Sequence, residues 1–292
     1  MIAVNTNLSS LVSIGIATKN RWSDLRATLG KLVEANLSAL PIIIYDDASD
    51  RACDFDLHSL GLSQLQFQSF AESQGYIARR NQIATQIKTK YYLSLDDDSY
   101  PVKGSLARAI AFAEAQADLL CLSFPIYNPV RQEYENPSSQ SQPHRVRFFR
   151  GCGHLLHRDR FLDLGGYQTE LVHQGEEMDL AARAFQQDWY CYHFPDFLIH
   201  HTASNNGRNW QRMDFYGARN HVLWNDWYTP ERHKAVKQMR ALISRLFLSL
   251  KVRRLGLIRG EIAGFKAIAS HKHHRQTMSD WHFNQWQQLP HS

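Results

Sequence analysis

Cysteine is scarce and scattered: Cys53, Cys121, Cys152 and Cys191 show no CxxC spacing, so neither a disulfide framework nor a zinc knuckle is indicated. Reduced, buried thiols are expected. The N-terminus has no basic stretch followed by an apolar core of signal-peptide length. No apolar run approaches the roughly 20 residues needed to cross a bilayer. These absences point to a protein made and kept in the cytoplasm. No internal repeat at a period of roughly 20 to 50 residues is visible, so no repeat architecture is expected. A disorder signature is also missing, since 43% hydrophobic residues in 292 suffice for one large core or two small ones.

Two acidic clusters stand at the ends of apolar runs. Tyr91-Tyr92-Leu93-Ser94-Leu95 reads as a buried strand and closes in Asp96-Asp97-Asp98. Pro41-Ile42-Ile43-Ile44-Tyr45 reads the same way and closes in Asp46-Asp47-Ala48-Ser49-Asp50. Upstream, Leu11 to Ile16 is a third strand, ending in the polar turn Ala17-Thr18-Lys19-Asn20. Leu25, Leu29, Leu32 and Val33 then recur at helical spacing, with Asn20 or Ser23 as the expected cap. The pattern repeats through a strand at Leu65 to Phe70, a helix at Gly75 to Lys88 and the Tyr91 strand. This alternation predicts an α/β fold with a mostly parallel sheet, right-handed crossovers and all these polar turns on one edge. Open sheets of this kind bind ligands at that edge.

Side chains alternate along an extended chain, so Asp96 and Asp98 should face one way and Asp97 the other. Adjacent anions repel, and a hard divalent cation shared with a substrate phosphate would hold them together. An acidic surface turn capped by Ser99-Tyr100-Pro101 is the alternative.

Seven segments in order carry a family resemblance. They are Val12 to Asn20, Tyr45 to Asp50, Gln74 to Asn81, Asp96 to Asp98, Leu164-Gly165-Gly166-Tyr167, Gly175 to Arg183, and Arg219-Asn220. Over about Val12 to Asn220 the chain resembles the family 2 glycosyltransferases, the inverting, nucleotide-sugar-dependent enzymes of the GT-A fold. The resemblance implies a Rossmann-like, mostly parallel sheet with flanking helices. It also implies a UDP- or dTDP-sugar donor, Mn²⁺ or Mg²⁺ as cofactor, and a glycan or lipid-linked acceptor in polysaccharide or glycolipid assembly. By this resemblance Ala17, Thr18, Asn20, Asp46, Asp47, Arg80, Asp96, Asp97, Asp98, Cys152 and Gly153 bind the donor. Asp47 would meet the nucleotide base, and Asp96 to Asp98 the ribose and the metal on the diphosphate, with Asp98 as direct ligand. A histidine after the apolar run Phe194 to Ile199 binds metal in some GT-A enzymes, which makes His200 and His201 candidates; an extended strand lets only one of them face the site.

Inverting transfer needs a base for the acceptor hydroxyl. Met178, Ala181, Ala182 and Phe185 form the stripe of an amphipathic helix whose first turn carries Glu176 and Glu177, although acids there also suit the macrodipole with no chemistry at all. The family places its base second in this acidic start, which is Glu177. The usual residue is Asp, so Glu176 stays the alternative. Asp179 and Arg183, four apart, are expected to pair on the helix surface. Arg80, or else Arg79, offers a bidentate fork to the diphosphate, against a solvated helix face. In the turn Arg150-Gly151-Cys152-Gly153-His154, which the family puts beside sugar and metal, His154 or the backbone near Cys152 is a donor contact.

Asn128 to His144 has no periodic apolar residues and reads as a mobile connection between a donor half (about 10–127) and an acceptor half (about 146–230), with Val146 to Phe149 resuming as a strand. Most rings between Trp210 and Trp227 are expected to dock on the core, whereas Trp210 and Arg212, in a less regular stretch after Asn205-Asn206-Gly207, are acceptor candidates.

The net charge of +5 hides a split. From Glu231 onward 12 Lys plus Arg face 3 Asp plus Glu, leaving 21 against 25 for residues 1–230. The split marks off a basic amphipathic helical region over 231–292, and the resemblance implies a glycosyltransferase domain over 1–230. Leu242, Ile243, Leu246, Phe247 and Leu250 lie among Arg240, Arg245, Lys251, Arg253 and Arg254, a layout that can meet an anionic membrane from the cytoplasmic side. Packing on the domain is the alternative; nucleic acid is disfavoured by the acidic catalytic half. A sugar-nucleotide pyrophosphorylase lacks support because no Gly-rich phosphate loop follows the first strand. A catalytically silent sugar-binding protein of the same fold is opposed by the intact Asp47, Asp96, Asp98 and Glu177.

Overall fold

The computed structural model of the chain describes residues 8–203 and 209–291; Asn205-Asn206-Gly207 lies outside them. Its strands are β1 (Val12–Thr18), β2 (Pro41–Asp46), β3 (Gln64–Ser69), β4 (Tyr91–Asp96), β5 (Ser99–Gly104), β6 (Leu119–Ser123), β7 (Ile126–Asn128), β8 (Glu133–Tyr134), β9 (His144–Val146), β10 (Gly153–His157), β11 (Tyr190–His193) and β12 (Phe197–His201). Its helices are α1 (Leu8–Leu11), α2 (Trp22–Glu34), α3 (Tyr76–Gln86), α4 (Leu106–Ala115), α5 (Arg158–Asp163), α6 (Glu176–Phe185), α7 (Trp210–Tyr228), α8 (Glu231–Val252), α9 (Gly256–Ala267) and α10 (Asp280–Gln288).

The main sheet has eight strands in the order β3-β2-β1-β4-β10-β6-β11-β9, and its first four are parallel. β10 enters antiparallel to both β4 and β6, so the sheet is mixed beyond its parallel half. Both faces are covered, which is why β1, β2 and β4 read as continuous apolar runs. Val12, Ile14 and Ile16 pack with Leu25, Leu29 and Leu32 of α2 on one side, while Ile43, Tyr45 and Tyr92 pack with Ile77 and Ile83 of α3 on the other. Parallel pairing brings the ends of β1, β2 and β4 to one edge, with Thr18 beside Asp46 and Ala17 beside Asp96.

A second sheet, β5-β12-β7-β8, lies over that edge. Its antiparallel β12–β5 register sets His201 opposite Ser99. The segment from Asn128 to His144, expected to be a mobile connection, instead contributes β8, paired with β7. The side chain of Asn136, 2% exposed, accepts from Ile126 N and donates to Phe124 O, fixing the hairpin. The strand expected at Val146 to Phe149 is not formed: β9 runs from His144 to Val146, where it pairs with β11, and 147–149 lie outside any strand.

α2 begins at Trp22 after Arg21 with no side-chain cap, so neither Asn20 nor Ser23 caps it. Asn20 is spent elsewhere, as described below. At the C-terminus α9 lies along α7 at close range. Side chains in place of Gly256, Gly260 and Gly264 would collide with Gln211 O, Phe215 O and Arg219 O or Val222, so only glycine permits this approach. α10 buries Phe283 and Trp286 in the same core as Phe185 of α6 and Trp224 of α7. By contrast α8 buries only Gln238 and Ser249, and leaves Val236, Met239, Ile243, Leu246, Phe247 and Leu250 exposed. No described helix is long and apolar enough to cross a membrane.

Candidate active site

At the edge of the parallel strands the polar turns are tied to one another. Asn20, at φ 58°, donates from its backbone to Ser49 Oγ (2.7 Å) and from its side chain to Asp50 (2.9 Å), and accepts from Asp50 N (2.7 Å). Asp46 accepts from Ser49 and from Ser69 Oγ. Asp47 is buried and accepts from Ser73 Oγ, Gln74 N, Gly75 N and Arg79 Nε within 2.6 to 2.9 Å. Burial opposes its charge, yet these donors outweigh burial and hold its carboxyl below the usual range. Arg79 is therefore an internal partner of Asp47 rather than a solvated cation.

The acidic triplet does not continue β4 as an extended chain. It turns at Asp97-Asp98 and returns as β5. Each carboxylate has a cationic partner, and Asp97 and Asp98 share Arg21. Asp96 is paired with Arg80. Asp97 accepts from Thr18 Oγ1 (2.7 Å) and lies 3.2 Å from Arg21 Nε; Asp98 pairs with Arg21 Nη2 (2.5 Å) and His201 Nε2 (3.3 Å). Burial pushes the Asp97 carboxyl up to about 7, against the pull of Arg21. Burial acts on Asp98 in the same sense, but His201 and Arg21 outweigh it and hold that carboxyl low. Thr202 anchors the turn by donating to Asp98 O from N (2.9 Å) and Oγ1 (3.0 Å).

The ligand atoms of Asp96, Asp98 and His201 lie within 4.8 Å of one another. Two carboxylate oxygens and an imidazole suit a hard or borderline divalent ion of the Mn²⁺ or Mg²⁺ kind, so this donor set fits a metal. The opposite face of β12 carries His200, against the rings of Tyr100 and Tyr127. Glu135, delivered by the β7–β8 hairpin, lies 3.0 Å from the other nitrogen of His201, and Cys152 Sγ is within the same 4.8 Å of both. Burial lowers the basicity of His201, but the contacts with Cys152, Asp98 and Glu135 outweigh it and raise the imidazole above its ordinary value. A metal on Nε2 would therefore displace a proton.

The acids of α6 reach the same edge from below. Gly175, at φ 91°, begins the helix. Glu176 is 1% exposed, with Arg80 Nη1 3.7 Å away. Arg80 also donates to Gly151 O (3.0 Å) and lies over the Tyr76 ring. It sits beneath the site and joins Asp96 to Glu176, rather than projecting from the helix. Glu177 lies against Gly151, where any Cβ would fall on its carboxylate. Burial and the neighbouring Glu176 push the Glu177 carboxyl up to about 8.

Asp179 and Arg183 pair at 2.7 Å, yet both are buried, not on the surface. Tyr228 donates to Asp179, while Arg183 donates to Leu164 O and Gly166 O. Asn220 Nδ2 donates to three carbonyls of the loop ahead of α6, those of Leu171, His173 and Gln174. Arg219 donates to Glu170 O.

Cys152 contributes its carbonyl, accepting from Ser99 Oγ and Asp96 N. Gly153 packs against Ile199, and His154 is fully buried between Arg150 O and Tyr167. Trp210 and Arg212 belong to the first turn of α7, not to an irregular stretch; Arg254 lies over the Trp210 ring and Arg212 over Tyr216. Sequence reasoning missed Arg21, Glu135 and Ser99. Arg21 had a signal, following directly on the β1 turn, whereas Glu135 had none.

The profile of glycosyl transferase family 2 matches residues 13–164, slightly over half of the chain. No curated protein matches the chain. Among solved structures, GalNAc-T7 with UDP, GalNAc and Mn²⁺ superposes at TM-score 0.62 and 16% identity over 91% of this chain; the chain spans only 58% of GalNAc-T7. The mannosyltransferase PcManGT of Pyrobaculum calidifontis, in complex with GDP-Man and Mn²⁺, gives 0.58 and 14% over 92% of this chain and 78% of its own. TarS 1–349 of S. aureus in complex with UDP gives 0.54 and 16% over 77% and 68%. These likenesses establish the GT-A fold.

Proposed function

We propose that this chain, which belongs to glycosyl transferase family 2 and is a glycosyltransferase, is an inverting, metal-dependent enzyme. It moves a sugar from a nucleoside-diphosphate sugar to a hydroxyl of a glycan or lipid-linked acceptor. The observation that carries this reading is the cluster of Asp96, Asp98 and His201 at one sheet edge, joined through the buried Arg80, which pairs with Asp96 and Glu176, to the acidic start of α6. Mn²⁺ or Mg²⁺ would be held by Asp98, Asp96 and His201, and the Mn²⁺ in GalNAc-T7 and PcManGT supports that choice. Such an ion, when bound, neutralises charge on the leaving diphosphate.

The acceptor oxygen attacks the anomeric carbon, the bond from that carbon to the diphosphate breaks with its electron pair leaving on phosphate, and Glu177 takes the hydroxyl proton. Arg80 acts as a positioning residue, holding Asp96 and Glu176 in place, so its role differs from a direct fork on phosphate. Asp47, its oxygens already occupied, acts on the nucleotide by shaping the 72–75 loop. The UDP bound by GalNAc-T7 and TarS supports a UDP- or dTDP-sugar donor, whereas PcManGT holds GDP-Man. Trp210 and Arg212 remain the proposed acceptor contacts.

For the C-terminal region the proposed partner is an anionic membrane surface. The exposed stripe from Val236 to Leu250 supports this, since an exposed apolar patch of this kind marks an interaction surface. Arg245 and Arg254 are tied to Glu261 and Asp214, so the lipid-facing charge rests on Arg240, Lys251 and Arg253. Product analysis tests the reaction. A nucleotide-sugar screen in Mn²⁺ should yield nucleoside diphosphate and a product of inverted anomeric configuration. Inorganic pyrophosphate, or retained configuration, would overturn it.

A further inference from the structure

We propose that Glu170, His273 and His274 form a second metal site, for a transition ion of the Zn²⁺ class, that fastens the C-terminal segment to the loop ahead of α6. Glu170 lies in a 3₁₀ turn at Thr169–Leu171, and the histidines in another at Lys272–His274. About a hundred residues separate them in sequence, yet their ligand atoms lie within 4.8 Å of one another. His274 Nε2 is 3.5 Å from Glu170 Oε1. That nitrogen is buried and has no hydrogen-bond partner besides this contact with Glu170. Two ligands on a tetrahedral Zn²⁺ sit roughly 3.3 to 3.6 Å apart, so this pair already has the spacing of a metal's edge. The exposed His273 ring, its centroid 4.0 Å from that of His274, already brings a ring nitrogen within the same 4.8 Å.

The donor chemistry differs from that of the donor-sugar site. Two imidazoles and one carboxylate favour Zn²⁺, Co²⁺ or Ni²⁺, whereas Mg²⁺ prefers oxygen. Neutral imidazole is the ligating form. His271 is outside the set, its Nδ1 directed at Ala267 O and its Nε2 at Arg219. The site's place gives it consequence. The Glu170 turn runs directly into the carbonyls that Asn220 holds, and then into Glu176 and Glu177, so an ion here would clamp the C-terminal segment onto the loop that presents the proposed base.

Cobalt titration of the untagged full chain, followed by visible absorption, tests this. One equivalent of Co²⁺ should give the bands of a tetrahedral, imidazole-ligated ion and be displaced by Zn²⁺. Asp98→Asn should keep that signal, while His273→Ala and His274→Ala should each lose it. Zn²⁺ should raise the melting temperature of Asp98→Asn but not of His273→Ala. His273 is exposed, so its variant tests ligation even where His274→Ala, which also loses packing on Trp227, fails to fold. A signal lost in Asp98→Asn, unchanged in His273→Ala, or kept by Glu170→Gln would overturn the site.

Discussion

As the proposed base, Glu177 would accept a proton within a half-buried, acid-rich corner. Removing its proton affinity while keeping its shape, as in Glu177→Gln, should lower turnover by roughly 10²- to 10⁴-fold, the usual worth of a general base, and leave donor binding intact. Steady-state kinetics beside calorimetric donor titration separates the two effects. The same carboxyl also sets a pH dependence. Burial and Glu176 raise it to about 8, and only its ionised form accepts a proton. The parent's kcat/KM should therefore climb with pH up to about 8 and flatten above, a limb that Glu177→Gln should lack. A rise confined to acidic pH would move the base elsewhere. Asp46, Asp47 and Asp96 to Asp98 were legible in sequence because short apolar runs end in them, and parallel pairing must then collect them on one edge. Glu135 was not legible, because a hairpin with no apolar period carries it to His201. Arg80 was legible as a cation but not as a buried one, since its burial depends on Glu176 arriving from far along the chain.

Among the elements, the loop from Leu171 to Gly175 matters most, because it aims Glu176 and Glu177 and has little structure of its own. Val172 and Gln174 both have positive φ, and three carbonyls are gathered on Asn220. Asn220→Ala strands those carbonyls, at a cost of about 1–3 kcal/mol for a buried group left unpaired. Amide exchange should quicken across 171–176 and turnover should fall, while exchange in β1 and β4 stays unchanged. The pairing of α7 with α9 makes a second element-scale expectation. Gly260→Val would press a side chain onto Phe215 O, destabilising the protein by about 1–3 kcal/mol, which thermal melting would read directly. Strands β1 to β4 and helices α2, α3 and α6 followed from apolar period, but the later strands and the turn at Asp97-Asp98 did not. The turn depends on β5 pairing with β12, a contact across about a hundred residues that no local pattern encodes.

The whole molecule divides its charge as the sequence indicates, but only part of the basic surplus is free. α9 and α10 are built into the fold, leaving α8 with an apolar stripe and few unpaired cations beside it. If that face meets lipid, the protein should bind vesicles containing anionic headgroups, weaken with salt, and bind neutral vesicles poorly. Replacing Arg240, Lys251 and Arg253 with Gln should remove on the order of 1 kcal/mol each without touching donor binding, as flotation with vesicles would measure. Equal binding to neutral vesicles would refute the charge argument.

The proposed function rests on one sheet edge holding a metal and a nucleoside diphosphate through Asp98. Calorimetric titration with UDP, with and without Mn²⁺, of the parent and Asp98→Asn tests it most directly. The parent should bind UDP in a Mn²⁺-dependent manner, and Asp98→Asn should lose that dependence while retaining its fold, because one of few anionic ligands to a hard cation is gone. Equal Mn²⁺-dependent affinity in the two proteins would contradict the assignment.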